Sequence, residues 1–190
     1  MAEQYICEQQ FDQVDFTAER LTATEFEQCS FSHCNFSNMH IGGITFIDCT
    51  FINCNLGMAH IQGTAFRDVT FKDCKMIGLH FENCNPFLFS VSFTNCQLNI
   101  SSFYEMKIKK IRFDQCGLQE VDFTGADLTA ALLHNCDLAG AIFSNTKLQK
   151  ADFRTAFNYS VNPETNDIKK AKFSLNGIAG LLDKYDIVVE

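Results

Sequence analysis

Every fifth residue from Ile6 to Phe81 is large and apolar, sixteen positions without an exception. The series opens Phe11, Phe16, Leu21, Phe26, Phe31, Phe36. After Phe81 the register slips by two, resumes at Leu88, and runs through Phe93, Leu98 and Phe103 to Phe153, fourteen positions of fourteen. Sixteen of the 20 Phe lie on this register, so the repeat accounts for the Phe excess. A period of five suits neither regular element. On a helix it advances the side chain by about 140°, and the stripe winds around the cylinder. On a flat strand, positions five apart point to opposite faces. The pattern closes only if the chain turns a corner in each quintet.

The flanking positions agree. Two residues before most of the large centres stands a small one, as in Cys29, Cys34, Ala59, Thr64, Val69 and Ala126. Centre and centre-minus-two share a face by strand alternation. Two residues after the centre, turn formers recur: Asn38, Gly43, Asp48, Asn53, Gly63 and Asp68. Such residues accept tight corners. His40, His60 and His80 are spaced by twenty, as are Cys34, Cys54 and Cys74; Cys96, Cys116 and Cys136 extend that ladder once the slip is subtracted. Twenty residues are four quintets, so each coil has four sides and like stacks on like. Thirty centres then give about 7–8 coils, a rod roughly 35 Å tall at about 4.8 Å per coil.

Stretches such as CSFSH, CNFSN, CTFIN, ADLTA, CDLAG and ADFRT resemble the pentapeptide-repeat family, whose pattern is A(D/N)LXX. The resemblance covers about residues 4–157. It implies an all-β fold, a right-handed quadrilateral parallel β-helix. Within the family the chain is similar to the members that protect DNA gyrase, of the microcin-immunity and quinolone-resistance types. FEQCSFSHCNF, the Pro-Phe break at Pro86 and the VNPETNDI segment before a Gly-Leu stretch and a Val-Val end carry that likeness. The long inserted loops of the quinolone-resistance type are missing, which puts drug protection in doubt.

Departures from the repeat are the places to look for function. Pro86 falls where a centre belongs, and two extra residues move the next centre to Leu88. Pro86, Phe87 and Phe89 form a candidate partner-contact bulge, with Phe87 and Phe89 projecting outward; a kink with the aromatics folded back is the plainer reading. Two segments follow: a solenoid over 1–157 with its register break near 84–89, and a C-terminal cap over 158–190. Ser174 is placed to cap a short helix over about 175–184, although Gly177 and Gly180 make it poor in isolation. Ile187–Val189 reads as a final short strand. Leu175, Ile178, Leu181 and Leu182 give this cap an apolar surface suited to homodimerisation.

No phosphate-binding glycine loop, nucleophile elbow or zinc-protease motif occurs, so no catalytic, cofactor or metal residue is assigned and no enzyme is expected. The Cys ladder reads as small inward filler, reduced thiols behaving as modest hydrophobes. The His column reads as a solvated row, because side-by-side ligands do not converge on a metal. MAEQYICEQQF lacks the blocks of a secretory signal and no apolar run reaches spanning length, so a cytoplasmic chain is expected. Net charge is −8, which argues against direct nucleic-acid binding. The charge is uneven: residues 1–60 carry a net −7, and residues 61–112 a net +3, with Lys107, Lys109, Lys110 and Arg112 clustered. An acidic rod of this width imitates duplex DNA, although the basic middle interrupts the imitation. The expected function is a non-catalytic protein that binds gyrase, a type II topoisomerase, and shields it from a toxin or antibiotic. The alternative is a structural or adaptor solenoid with another partner.

Overall fold

The computed structural model describes residues 5–18, 21 and 23–188. Eleven strands of three or four residues run parallel in two sheets. The first side of the rod carries β1 (Tyr5–Cys7), β3 (Glu25–Glu27), β5 (Thr45–Ile47) and β7 (Ala65–Arg67). The second carries β2 (Gln10–Asp12), β4 (Ser30–Ser32), β6 (Thr50–Ile52), β8 (Val69–Lys72), β9 (Val91–Thr94), β10 (Arg112–Asp114) and β11 (Leu132–His134). The third and fourth sides are held by single bridges, such as Asn35↔Asn55 and His40↔His60. Partners sit twenty apart, Phe31 against Phe51 and Phe113 against Leu133, as the spacing predicts. The seven strands of the second side span six complete turns, fewer than the 7–8 coils expected. The shortfall arises because the last quintets join by single bridges, Leu132↔Asp152↔Lys172, rather than as strands.

The core is a set of ring columns. On the second side Phe11, Phe31, Phe51, Phe71, Phe93 and Phe113 stack in succession, with centroids 4.7–5.4 Å apart. Neighbouring columns meet edge to face, as Phe26 meets Phe31 at 5.6 Å and 70°. Offset stacking and edge contacts are the geometries aromatic quadrupoles prefer. Burial of each such ring contributes roughly 1.5–3 kcal/mol. The small minus-two residues leave the rings room.

The corners lie where the turn formers stand. Asn38, Asp48, Asn53, Asp68 and Asp73 all have φ between 50° and 56°. Met58 and Ile100 occupy equivalent corners at φ 57° and 52°, a left-handed conformation that a β-branched side chain seldom adopts. Most corner amides donate to the next coil: Asp48 N–H to the Arg67 carbonyl at 2.9 Å, Lys110 N–H to that of Thr129 at 2.9 Å.

The register break differs from expectation in one respect. Leu88, read as the resumed centre, is 63% exposed and sits in the left-handed corner conformation at φ 58°. Phe89, read as projecting, turns inward beside Phe81, edge to face at 6.4 Å. The ladder fixes this choice. Ser90 N–H donates to the Phe66 carbonyl and Val69 N–H to the Ser90 carbonyl, so the chain rejoins its neighbour at Ser90. The residue immediately before that point must fill the core, and the extra length escapes at Phe87 and Leu88.

The C-terminal segment also differs. Among its described residues it forms two 3-10 turns, Ile178–Leu181 and Asp183–Tyr185, and no α-helix. Ser174 caps no helix: its Oγ accepts from Gly177 N–H at 3.1 Å in a local turn, and the 3-10 turn that follows starts from Gly177 with no side-chain cap. The glycines are needed for contact rather than for a helix: an added Cβ at Gly180 would collide with the Tyr159 carbonyl oxygen, and one at Gly177 with the Tyr159 hydroxyl. Val161 N–H donates to the Gly180 carbonyl at 2.8 Å, tying the turn to the last coil. Ile187 and Val188 do not form the expected strand, and Val189 lies outside the described residues.

The break supplies a paired test. Phe89→Ala removes a ring packed on the core and is expected to lower unfolding free energy by about 2–4 kcal/mol. Phe87→Ala removes an exposed ring and is expected to change it by less than about 0.5 kcal/mol. Urea denaturation followed by circular dichroism measures both; equal losses would refute the inward placement of Phe89.

Candidate interaction surfaces

The regular quintets explain the ladders without invoking chemistry. Cys54 Sγ donates to the Phe31 carbonyl at 3.2 Å, and Cys74 Sγ to that of Phe51 at 3.4 Å. Thr64 Oγ1 reaches Ile41 at 2.8 Å and Thr146 Oγ1 reaches Phe123 at 2.9 Å over the same 23-residue step. Where the minus-two slot holds Cys or Thr, its side chain aims a donor at a carbonyl of the preceding coil. All ten Cys are free. Burial pushes the Cys49 and Cys84 thiols up to about 12, so they remain protonated and poor nucleophiles. His40 and His60 stack face to face at 4.2 Å, with His80 one coil further along a groove of about 470 Å³. Parallel rings present their nitrogens side by side. Among the described residues no cluster of three or more His, Cys, Asp or Glu is arranged to hold a metal.

The bulge is the principal interruption in the wall. Asn85 Oδ1 accepts from Phe87 N–H at 2.9 Å, the same Asx turn that Asn35 and Asn55 make in regular quintets. Phe87 is 63% exposed, and the Arg67 guanidinium lies 5.5 Å from its ring centroid. Pro86 is exposed too, and with Phe89 it lines a groove of about 500 Å³. The structure thus brings Pro86 and Phe89 together in a groove and sends Phe87 to the outer surface beside it. Tyr104, Met106 and Lys107 form the opposite wall of this groove. The sequence marks Lys107 as part of the basic cluster but does not mark Tyr104 or Met106. The twenty-residue period, counted across the slip, would have placed them one coil above the break.

The cap separates the four apolar residues of the expected dimer surface. Leu175 is 88% exposed and Ile178 is exposed. Leu181 packs partly on the core, and Leu182 is half-buried. Lys184 pairs with Glu164, which also accepts from the Tyr185 hydroxyl at 3.2 Å, so the cap is anchored to the last coil on its polar edge. Nearby, Tyr159 is buried with no hydrogen-bond partner for its hydroxyl.

Comparison with known proteins follows the fold. The family model for the pentapeptide repeat region matches residues 44–123, and that for pentapeptide repeats, in eight copies, matches residues 116–156. The chain belongs to the pentapeptide-repeat family. Solved structures share its solenoid. One is a trypsin-treated form of QnrB1, a plasmid-mediated fluoroquinolone resistance protein, at 17% identity and TM-score 0.61, with 100% of both chains covered. Another is HetL, a pentapeptide-repeat protein involved in heterocyst differentiation regulation from the cyanobacterium Nostoc, at 16% identity and TM-score 0.72, covering 91% of this chain and 87% of that one. No curated protein matches the chain in sequence. Among the described residues, no helix is long and apolar enough to cross a membrane.

Thiol burial gives a pH signature. A thiol whose value rises from 9.0 in the unfolded chain to about 12 in the fold favours the folded state below pH 9 and loses that contribution as pH climbs towards 12. Stability is expected to fall across that window by up to about 1.4 kcal/mol per pH unit for each such thiol. A Cys49→Ala, Cys84→Ala variant should show a shallower fall in urea midpoints, and an unchanged slope would contradict the assignment.

Proposed function

We propose that this chain is a non-catalytic binding protein that engages DNA gyrase and protects it from a toxin or antibiotic. The observation that carries a binding role is the bulge. A wall built to repeat sends out Phe87 and Leu88 at one level and opens a groove beside them. Irregularity of this kind opposes the economy of the repeat and suits recognition. The choice of gyrase rests on the C-terminal likeness to gyrase-protecting members and on the solenoid shared with a fluoroquinolone resistance protein. The acidic first sixty residues suit a surface that normally receives DNA, so DNA mimicry by that end of the rod is part of the proposal. The same reading makes the chain a cytoplasmic homodimer, joined through Leu175 and Ile178 at the cap.

A structural or adaptor role is the second reading. The likeness to HetL, a protein involved in heterocyst differentiation regulation, favours it.

Pull-down with both gyrase subunits, with supercoiling assays in the presence of microcin, albicidin or a quinolone, separates the two. The first reading expects a direct complex and retained supercoiling under at least one poison. It also expects Phe87→Ala to weaken the complex by about tenfold, the scale of one exposed aromatic anchor. No complex and no effect on supercoiling would remove it. For the cap, Leu175→Glu is expected to convert a dimer to a monomer in sedimentation; a monomeric wild type would contradict that.

A further inference from the structure

We infer that the first side of the rod is a self-complementary surface that docks a second copy of this chain in antiparallel orientation. This surface is distinct from the cap, and because it covers Phe87, a second copy docked there competes with gyrase for the bulge. Three observations meet on it. The bulge, with Phe87 and Leu88 exposed, lies on this side, between β7 and the bridges that continue the side upward, Lys107↔Asp127↔Lys147↔Asp167. Four levels lie below it, β1, β3, β5 and β7, and four lie above it, at residues 107–110, 127–130, 147–150 and 167–170. The exposed apolar pair therefore sits at the midpoint of the side.

The halves differ in charge. Side and corner below the bulge carry Glu8, Glu25, Glu27, Asp48 and Asp68 against one base, Arg67. Above it stand Lys107, Lys109 and Lys110 one level up, Lys147 and Lys150 at the third, and Lys169 and Lys170 at the fourth, against Asp127 and Asp167. All seven lysines are exposed. Of these seven, only Lys109 has an ion-pair partner among the described residues, Asp127 at 3.4 Å. Six unpaired cations on a face held by single bridges give the upper half of this side a positive charge that complements the acidic lower half.

A two-fold axis through the bulge satisfies this arrangement. An isologous contact sets each level against its mirror level on the partner. Glu25 and Glu27 then oppose Lys147 and Lys150 of the second copy, Glu8 opposes Lys169 and Lys170, and the reverse pairs form at the other end. The intervening level sets Ile47 near Ala130, and Phe87 meets its own copy at the axis. The level next to the axis sets Asp68 near Lys110 and Arg67 near Lys109 of the second copy, so the apolar contact at the axis is small and is flanked by charge on both sides. A strip one side wide and about 40 Å long is smaller than a standard interface of about 800 Å² per partner, so the association is weak and salt-sensitive.

Sedimentation velocity tests this with Leu175→Glu and Ile178→Glu present throughout, which removes any pairing through the cap. At about 100 μM protein and low salt the chain is expected to dimerise, and to dissociate at about 1 M salt, where screening shrinks to about 3 Å. One variant carries Glu8→Lys and Glu25→Lys, the other Lys150→Glu and Lys170→Glu, and circular dichroism checks that both stay folded. Each alone is expected to lose at least about tenfold in dimer affinity. An equimolar mixture is expected to form a heterodimer, because both ends of the mixed pair regain opposite charges. A chain monomeric at low salt overturns the inference, including the case where its lysines instead bind a fluorescent single-stranded oligonucleotide. Variants that dimerise as tightly as their parent, or a mixture that does not pair, overturn it as well.

Discussion

The left-handed corner is the constraint on which the rest depends. A non-glycine residue at positive φ costs roughly 1–2 kcal/mol, and this chain adopts it in nearly every quintet, even at Met58 and Ile100. What offsets the cost is not local. The corner amide donates to a carbonyl one coil away, as Asp48 does to Arg67, while the large centre two residues earlier stacks on its copy in the same coil. Neither contact exists in an isolated quintet. Stability is accordingly a property of neighbours, as in other one-dimensional arrays.

This logic separates what is structural from what is not. The Cys ladder looks like a metal site on paper, yet Thr64, Thr146 and Cys54 make the same hydrogen bond from the same slot. Its uniformity identifies it as part of the wall. The bulge is the opposite case. Two extra residues are accommodated while the column from Phe71 to Phe93 stays unbroken at 5.4 Å. The core absorbs the insertion at one corner, and the excess is turned to solvent where another molecule can reach it.

Much of this was legible in the chain. The quintet, the four sides, the corner residues and the twenty-residue stacking all follow from side-chain size and turn chemistry at fixed spacing. The choice between Leu88 and Phe89 was not, because it depends on where the backbone rejoins a neighbour at Ser90. Nor was the form of the cap. Gly177 and Gly180 read as weak helix residues, but their role is to admit Tyr159. The charge division along the first side was hidden for another reason. Lys110, Lys150 and Lys170 are distant in sequence, and counting charge by segment averages each with residues on other sides.

The stacking rule itself is open to a direct measurement. Deleting residues 113–132 removes one full coil and returns Leu133 to the place of Phe113, its partner in the ladder. Deleting residues 113–122 keeps the five-residue pattern but removes half a coil, so every later side would stack on the wrong neighbour. Thermal unfolding followed by far-ultraviolet circular dichroism should show a cooperative β transition for the full-coil deletion and none for the half-coil one. Equal cooperativity in the two would contradict the four-sided coil and the account built on it.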